Sequence, residues 1–290
     1  MFSFLSLLFS CFDKGYILVF AAYSFLTLIF VYKTLLERNA LVWGLIIFCF
    51  IGFYLDSFDR IRQVLAVAIF LYSIKYIEQK KLSKYCLYIM LAALSHLSAL
   101  LLLPVYLYNK ISVKPIIALS VIFSFFILTL TGVSSIIQVF IYSHIPYYNE
   151  IYGNSQFVNM NGGFGTGLGF MLNITLICYS LMFSKNHFVL RNLLFTAGCL
   201  MVLAPGNLNI IRFSQYFYVS VMVLFPYTFR DYHHSTINKI VAFCIFFVFF
   251  QSQQGRNNYK YNSVFSEDFK LESFSPRMSD RPLLNPNRQQ

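Results

Sequence analysis

The chain has 290 residues, of which 58% are apolar and only 11% charged, with 34 Phe and 21 Tyr. A soluble domain carries about 25% charged residues, so water is excluded as the main solvent. The net charge of +11 is spread over short connections and a polar tail; with no single basic stripe, nucleic acid is not an expected partner.

Apolar segments follow one another at residues 2–12, 16–32, 40–55, 62–77, 85–108, 115–131, 168–183, 193–204, 213–229 and 240–250. Their repetition predicts an all-α fold, a polytopic transmembrane helical bundle with about nine to ten apolar segments. Several fall short of the ~20 residues that a perpendicular span needs, so some are expected to be short or re-entrant. Residues 1–250 then form the transmembrane domain. Residues 251–290, rich in Asn, Gln, Ser, Pro and Arg, cannot supply a packed core and read as a disordered tail.

Lys and Arg mark the loops that stay in the cytoplasm. Lys33 with Arg38, then Lys80, Lys81 and Lys84, then Lys185 with Arg191, and finally Arg230 with Lys239 form four such loops. Alternation places residues 56–62 outside. A single span from Tyr85 to Tyr108 would put Lys110 and Lys114 on the wrong side. A bend near Ser95 to Ser98 repairs this, with His96 near the outer side and both lysines inside. Residues 132–165 then lie outside, and they contain no Lys or Arg.

That outer connection offers Tyr147, Tyr148 and Tyr152 among Asn, Gln and Gly residues. Aromatic faces and amides without cationic charge suit a neutral, hydroxyl-rich ligand such as a sugar, and they equally suit a solvated loop. Gly162-Gly163-Phe164-Gly165 lacks the strand and the Gly-Lys-Ser/Thr ending of a phosphate-cradling loop. No His/Asp/Glu grouping has metal-ligand spacing, and no metal or other cofactor is expected.

Charges at bilayer depth are costly, so those present are paired or functional. The densest cluster is Asp56, Asp59, Arg60, Arg62 and Gln63. In one continuous helix Asp56 would face Arg60, while Asp59 would face Arg62 and Gln63. Either an arginine of this cluster binds a phosphate or pyrophosphate through its planar fork, or the group is an ion pair that caps a helix. His96 lies one helical turn from Ala92 and Ala93. It reads as a general base toward a sugar hydroxyl, as a hydrogen-bond donor to a leaving group, or as a histidine simply bonded between helices. Arg212, following Pro205-Gly206-Asn207-Leu208-Asn209, is either a headgroup anchor or a second hand on a pyrophosphate.

Three blocks carry a likeness to a known family: Asp59-Arg60-Ile61-Arg62-Gln63-Val64-Leu65-Ala66, then the basic turn Lys80-Lys81-Leu82-Ser83-Lys84, then Leu91-Ala92-Ala93-Leu94-Ser95-His96-Leu97-Ser98-Ala99. In order and spacing they resemble the EpsG family of Wzy-like polysaccharide polymerases, whose pattern is an Arg-Gln-x-x-Ala helix, a basic turn and an Ala-rich helix with His-x-Ser-Ala. Arg212 ahead of Tyr216-Phe217-Tyr218 fits more loosely. The resemblance implies a glycosyltransferase-type polymerase of the bacterial cytoplasmic membrane. Its substrate would be an undecaprenyl-pyrophosphate-linked oligosaccharide, and its partners membrane lipids and a chain-length regulator protein. Arg62, Arg212 and His96 would be catalytic, the arginines holding pyrophosphate and His96 assisting proton transfer at the acceptor hydroxyl. Asp59, Arg60, Gln63, Tyr147, Tyr148 and Tyr152 would bind substrate. Family members begin with a further span and an outer loop ahead of the region where Met1 stands, so an N-terminal span is expected to be missing. A flippase for the same lipid-linked unit and a membrane O-acyltransferase are the alternatives.

Overall fold

A computed structural model describes residues 7–9, 11–12, 15–132, 168–184, 187–203, 208–231 and 236–257. All elements among them are helical: α1 (Gly15–Glu37), α2 (Leu41–Phe50), α3 (Phe53–Asp59), α4 (Ile61–Glu78), α5 (Leu82–Ser95), a 3₁₀ segment (Leu97–Asn109), α6 (Pro115–Leu130), α7 (Leu168–Phe183), α8 (Phe188–Leu203), α9 (Leu208–Tyr218), α10 (Val221–Asp231) and α11 (Thr236–Asn257). Residues Met1–Phe250 form one compact unit and Gln251–Gln290 a second.

Apolar side chains lie on both sides of these helices. On α1, Val19, Tyr23, Thr27, Val31 and Leu35 recur at i+4 and are buried, while Phe20, Phe25, Leu28, Tyr32 and Leu36 face outward. A helix with a packed inner stripe and an equally apolar outer face belongs in lipid rather than in water. Among the described residues α1 alone is long and apolar enough to cross a membrane by itself; the other apolar helices are shorter. Buried hydroxyls on α1 find partners within the helix: Thr27 Oγ1 donates to the Tyr23 carbonyl at 2.9 Å and Thr34 Oγ1 to the Phe30 carbonyl at 2.7 Å. The helix α4, apolar on nearly every side from Val64 to Ile77, is the central element.

Several expected segments are divided. Residues 40–55 split into α2 and α3 at Ile51 and Gly52, where Gly52 takes φ +103°, a conformation that a Cβ would strain. The segment 213–229 splits into α9 and α10 at Val219 and Ser220, where the Ser220 hydroxyl bonds back to the Phe217 carbonyl at 2.7 Å. The segment 193–204 starts earlier, at Phe188, which moves Arg191 out of the expected loop and into α8. The segment 240–250 extends to Asn257, past the expected start of the tail.

The segment 85–108 reverses direction, as the charge argument required. Tyr85 near the start of α5 donates from its hydroxyl to the Leu102 carbonyl at 2.6 Å, and its ring lies 5.7 Å from that of Tyr106. In one continuous helix Tyr85 and Tyr106 would be about 30 Å apart. The return arm buries Ala99, Leu102 and Val105 and exposes Leu101, Pro104 and Leu107, the three-residue periodicity of a 3₁₀ helix. The arm is tied to α8 beyond its end. Tyr108 Oη and Thr196 Oγ1 are 2.7 Å apart, and the Asn192 amide donates to the Ile111 carbonyl at 2.7 Å.

The ends of α1 and α4 are joined by ion pairs: Arg38 grips Glu78 bidentately at 3.1 and 2.7 Å, and Lys75 holds Glu37 at 2.8 Å. Together with His187, Tyr227 and Arg230 they line a cavity of about 490 Å³.

Close packing also fixes α2 on α10. Pro226 has no N–H, so the Met222 carbonyl four residues earlier is released from the helical ladder. A Cβ placed on Gly44 would come within 3.0 Å of that oxygen and within 2.4 Å of Leu35 Cδ2. Leu35 is fully buried and cannot move aside freely. Gly44→Ala is therefore expected to lower stability by about 1 to 3 kcal/mol, read as a fall in the thermal unfolding midpoint of the detergent-solubilised protein.

Candidate functional site

The site is built where the starts of α4 and α9 meet the reversal at His96. The expected continuous helix through Asp56 to Gln63 is broken: Arg60 has φ −120° and ψ 43°, so α3 ends and α4 begins around it. At this break the cluster gains a partner from α9. Arg60 does bond Asp56, its expected i,i+4 partner, and its Nη1 also donates to Gln215 Oε1 at 3.0 Å. The Gln215 amide in turn donates to Asp56 Oδ2 at 2.5 Å. The three side chains form a closed clasp between the α3–α4 junction and α9. Gln63 is buried and donates to the Arg212 backbone carbonyl at 2.6 Å.

Arg60 and Gln63 are thus engaged within the protein, where the resemblance made them substrate contacts. Asp59 ends α3; its side chain, like Tyr147, Tyr148 and Tyr152, lies outside the described residues. Arg62 and Arg212 are exposed. The bond from Gln63 to the Arg212 backbone brings their two helices together one residue away from Arg62.

His96 belongs to neither arm of the reversal. Its backbone is extended, with φ −149° and ψ 114°, and its N–H closes α5 by donating to the Ala92 carbonyl at 3.0 Å. The ring is half-buried. Burial, and then the guanidinium charges of Arg62 and Arg212, oppose a positive charge on it. The three residues expected to act together, from positions 62, 96 and 212, therefore share one neighbourhood.

The ring is held by two hydroxyls. His96 Nδ1 lies 2.6 Å from Ser98 Oγ, Ser98 Oγ lies 3.1 Å from Tyr216 Oη, and Tyr216 Oη lies 3.4 Å from Nδ1. Tyr216 is fully buried on α9. Next to it, Tyr218 donates to Asn173 Oδ1 at 2.7 Å, fastening α9 to α7.

A model of the EpsG family matches residues 1–263. The chain belongs to the EpsG family. This is a family of Wzy-like polymerases, and with the apolar helices it makes the chain a membrane protein with a polysaccharide polymerase-like function. Neither the curated proteins nor the solved structures yield a match. Within this EpsG chain, Gln215 joins the site without any signal in the sequence. Gln215 is one amide on a short helix. Ser98 and Tyr216 stand inside the quoted blocks, but their contact joins positions 118 apart and no local pattern announces it.

Proposed function

We propose that this chain polymerises undecaprenyl-pyrophosphate-linked oligosaccharide units at the outer face of a bacterial cytoplasmic membrane, which it crosses many times. The observation that carries this reading is the meeting of Arg62, Arg212 and His96 at the α4, α9 and His96 junction. The hydroxyl at the non-reducing end of one lipid-linked unit attacks the anomeric carbon of the growing glycan. A new glycosidic bond forms, the bond from that carbon to the pyrophosphate oxygen breaks, and its electron pair stays on the pyrophosphate. Charge grows on that leaving group as the bond lengthens. Two guanidiniums already in place stabilise it without having to reorganise, which is the largest single contribution an enzyme of this kind can make. Planar arginine forks suit paired phosphate oxygens better than lysine would.

The orientation follows the basic loops. His96 sits at the tip of a reversal whose ends carry Lys84 and Lys110, so the tip faces outward where the lysines face the cytosol. In a cysteine-accessibility scan, a cysteine at position 97 is expected to react with an impermeant reagent from outside and one at position 110 not to react. The opposite pattern would turn the site inward and end this proposal.

Loss of the gene is expected to leave single repeat units on the cell surface and to remove the long-chain ladder on a gel. A flippase would instead lose the single unit as well, and an O-acyltransferase would lose acyl groups with chain length unchanged. A full ladder in the deletion strain would overturn the polymerase reading.

A further inference from the structure

We infer that Ser98 and Tyr216 are positioning residues that keep His96 Nδ1 free of its proton, so that the neutral ring presents Nε2–H as a hydrogen-bond donor to a pyrophosphate oxygen and does not act as a base. The role assigned to the pyrophosphate rests on the polymerase reading; the tautomer does not.

The argument is a count of hydrogens. A hydroxyl has one hydrogen to give, and a buried hydroxyl that gives it to nothing is costly. Tyr216 Oη has two described acceptors within reach, Ser98 Oγ at 3.1 Å and His96 Nδ1 at 3.4 Å. Suppose Nδ1 carried the proton and gave it to Ser98 at 2.6 Å. If Ser98 then donated to Tyr216, the phenol hydrogen would have no described acceptor. If Tyr216 donated to Ser98 instead, the serine hydrogen would have none. With Nδ1 bare, every hydrogen is placed: Tyr216 donates to Ser98, and Ser98 donates to Nδ1.

The neutral ring then has its one hydrogen on Nε2. Among the described residues Nε2 makes no hydrogen bond, and the charged side chains acting on the ring are both arginines. Three donors that share one place suit an oxyanion rather than a sugar hydroxyl that must lose its proton. The proton released by the attacking hydroxyl goes to the departing pyrophosphate, which has gained the electron pair of the broken bond. Two guanidinium charges beside the ring also oppose the imidazolium that a base would have to become. His96 thus serves the leaving group, and Ser98 and Tyr216 act through it.

The test uses the full chain, labelled with ¹⁵N-histidine and reconstituted in nanodiscs, with the His96 signal assigned by its loss in His96→Asn. Long-range ¹H–¹⁵N correlations are expected to show the Nε2–H tautomer; an Nδ1–H ring would overturn the inference. Ser98→Ala is expected to give a mixture of tautomers and about a tenfold fall in polymer formed, the size of one lost hydrogen bond. Ser98→Thr, which keeps the hydroxyl, is expected to restore both readouts. A Ser98→Ala protein that loses output while its tautomer signal stays unchanged would overturn the positioning role. A wild-type protein that shows Nε2–H and makes no polymer from lipid-linked repeats would strike the polymerase reading alone.

Discussion

Arg62→Ala is expected to abolish the long-chain ladder and leave lipid-linked single repeats, a loss of about 10²- to 10³-fold in chain extension. Arg62 is exposed at the start of α4, and its charge reaches the His96 ring. Its removal therefore costs the site one of two cations while the packed body of α4, from Gln63 onward, is left intact. Arg62→Lys keeps the charge but not the planar fork, and should recover only part of the activity. The same assay on Arg212→Ala should give a loss of similar size, because both guanidiniums bear on one ring. Normal ladders from both alanine variants, at wild-type protein levels in the membrane, would remove the cationic clamp from the mechanism.

The second large effect is expected from Asp56→Ala, a residue outside the trio. Asp56 receives both Arg60 and the Gln215 amide, and its loss leaves a half-buried guanidinium and an amide to find new partners. The pair is about one-fifth exposed, so the cost to stability is about 2 kcal/mol rather than the larger penalty of a fully buried pair. The greater consequence is positional, because Gln215 lies on the same short helix as Arg212. A displacement of α9 by an ångström moves one cation away from the developing charge, and chain extension should fall by about 10²-fold. Asp56→Asn keeps one oxygen for the Gln215 amide and should fall between alanine and wild type. Membrane extracts with equal amounts of each variant, assayed for ladder length, would separate this positional effect from simple loss of protein.

The helices that were legible in the sequence have polar ends. The segment 62–77 appears as Ile61–Glu78 because charged residues stand on both sides of one apolar run. The turn at His96 was legible for the same reason: Ser-His-Leu-Ser interrupts apolar residues, and the lysines on either side demanded a reversal. The breaks at Gly52 and at Val219 with Ser220 carry no such mark. A lone glycine or serine in an apolar run is as compatible with an unbroken helix as with a corner, and tertiary packing decides which forms. Within the site, hydropathy and charge selected Arg62, His96 and Arg212 as unusual residues for their depth, while the likeness to the EpsG family supplied the reason to group them. The partners on α9 were hidden because their contacts join residues more than a hundred positions apart, as between Ser98 and Tyr216 or Gln63 and Arg212.

The return arm after His96 has one more consequence, which concerns reach. An α-helix of its thirteen residues would extend about 20 Å, whereas a 3₁₀ coil rises 2.0 Å per residue and covers about 26 Å. The fourteen residues of α5 reach about 21 Å, so the slimmer coil keeps pace with its partner and has length to spare. On the proposed orientation, a stretch too short by ordinary measure almost traverses the ~30 Å of hydrocarbon, and the imidazole it carries is lifted toward the headgroup level, where a pyrophosphate anchored by its lipid tail resides.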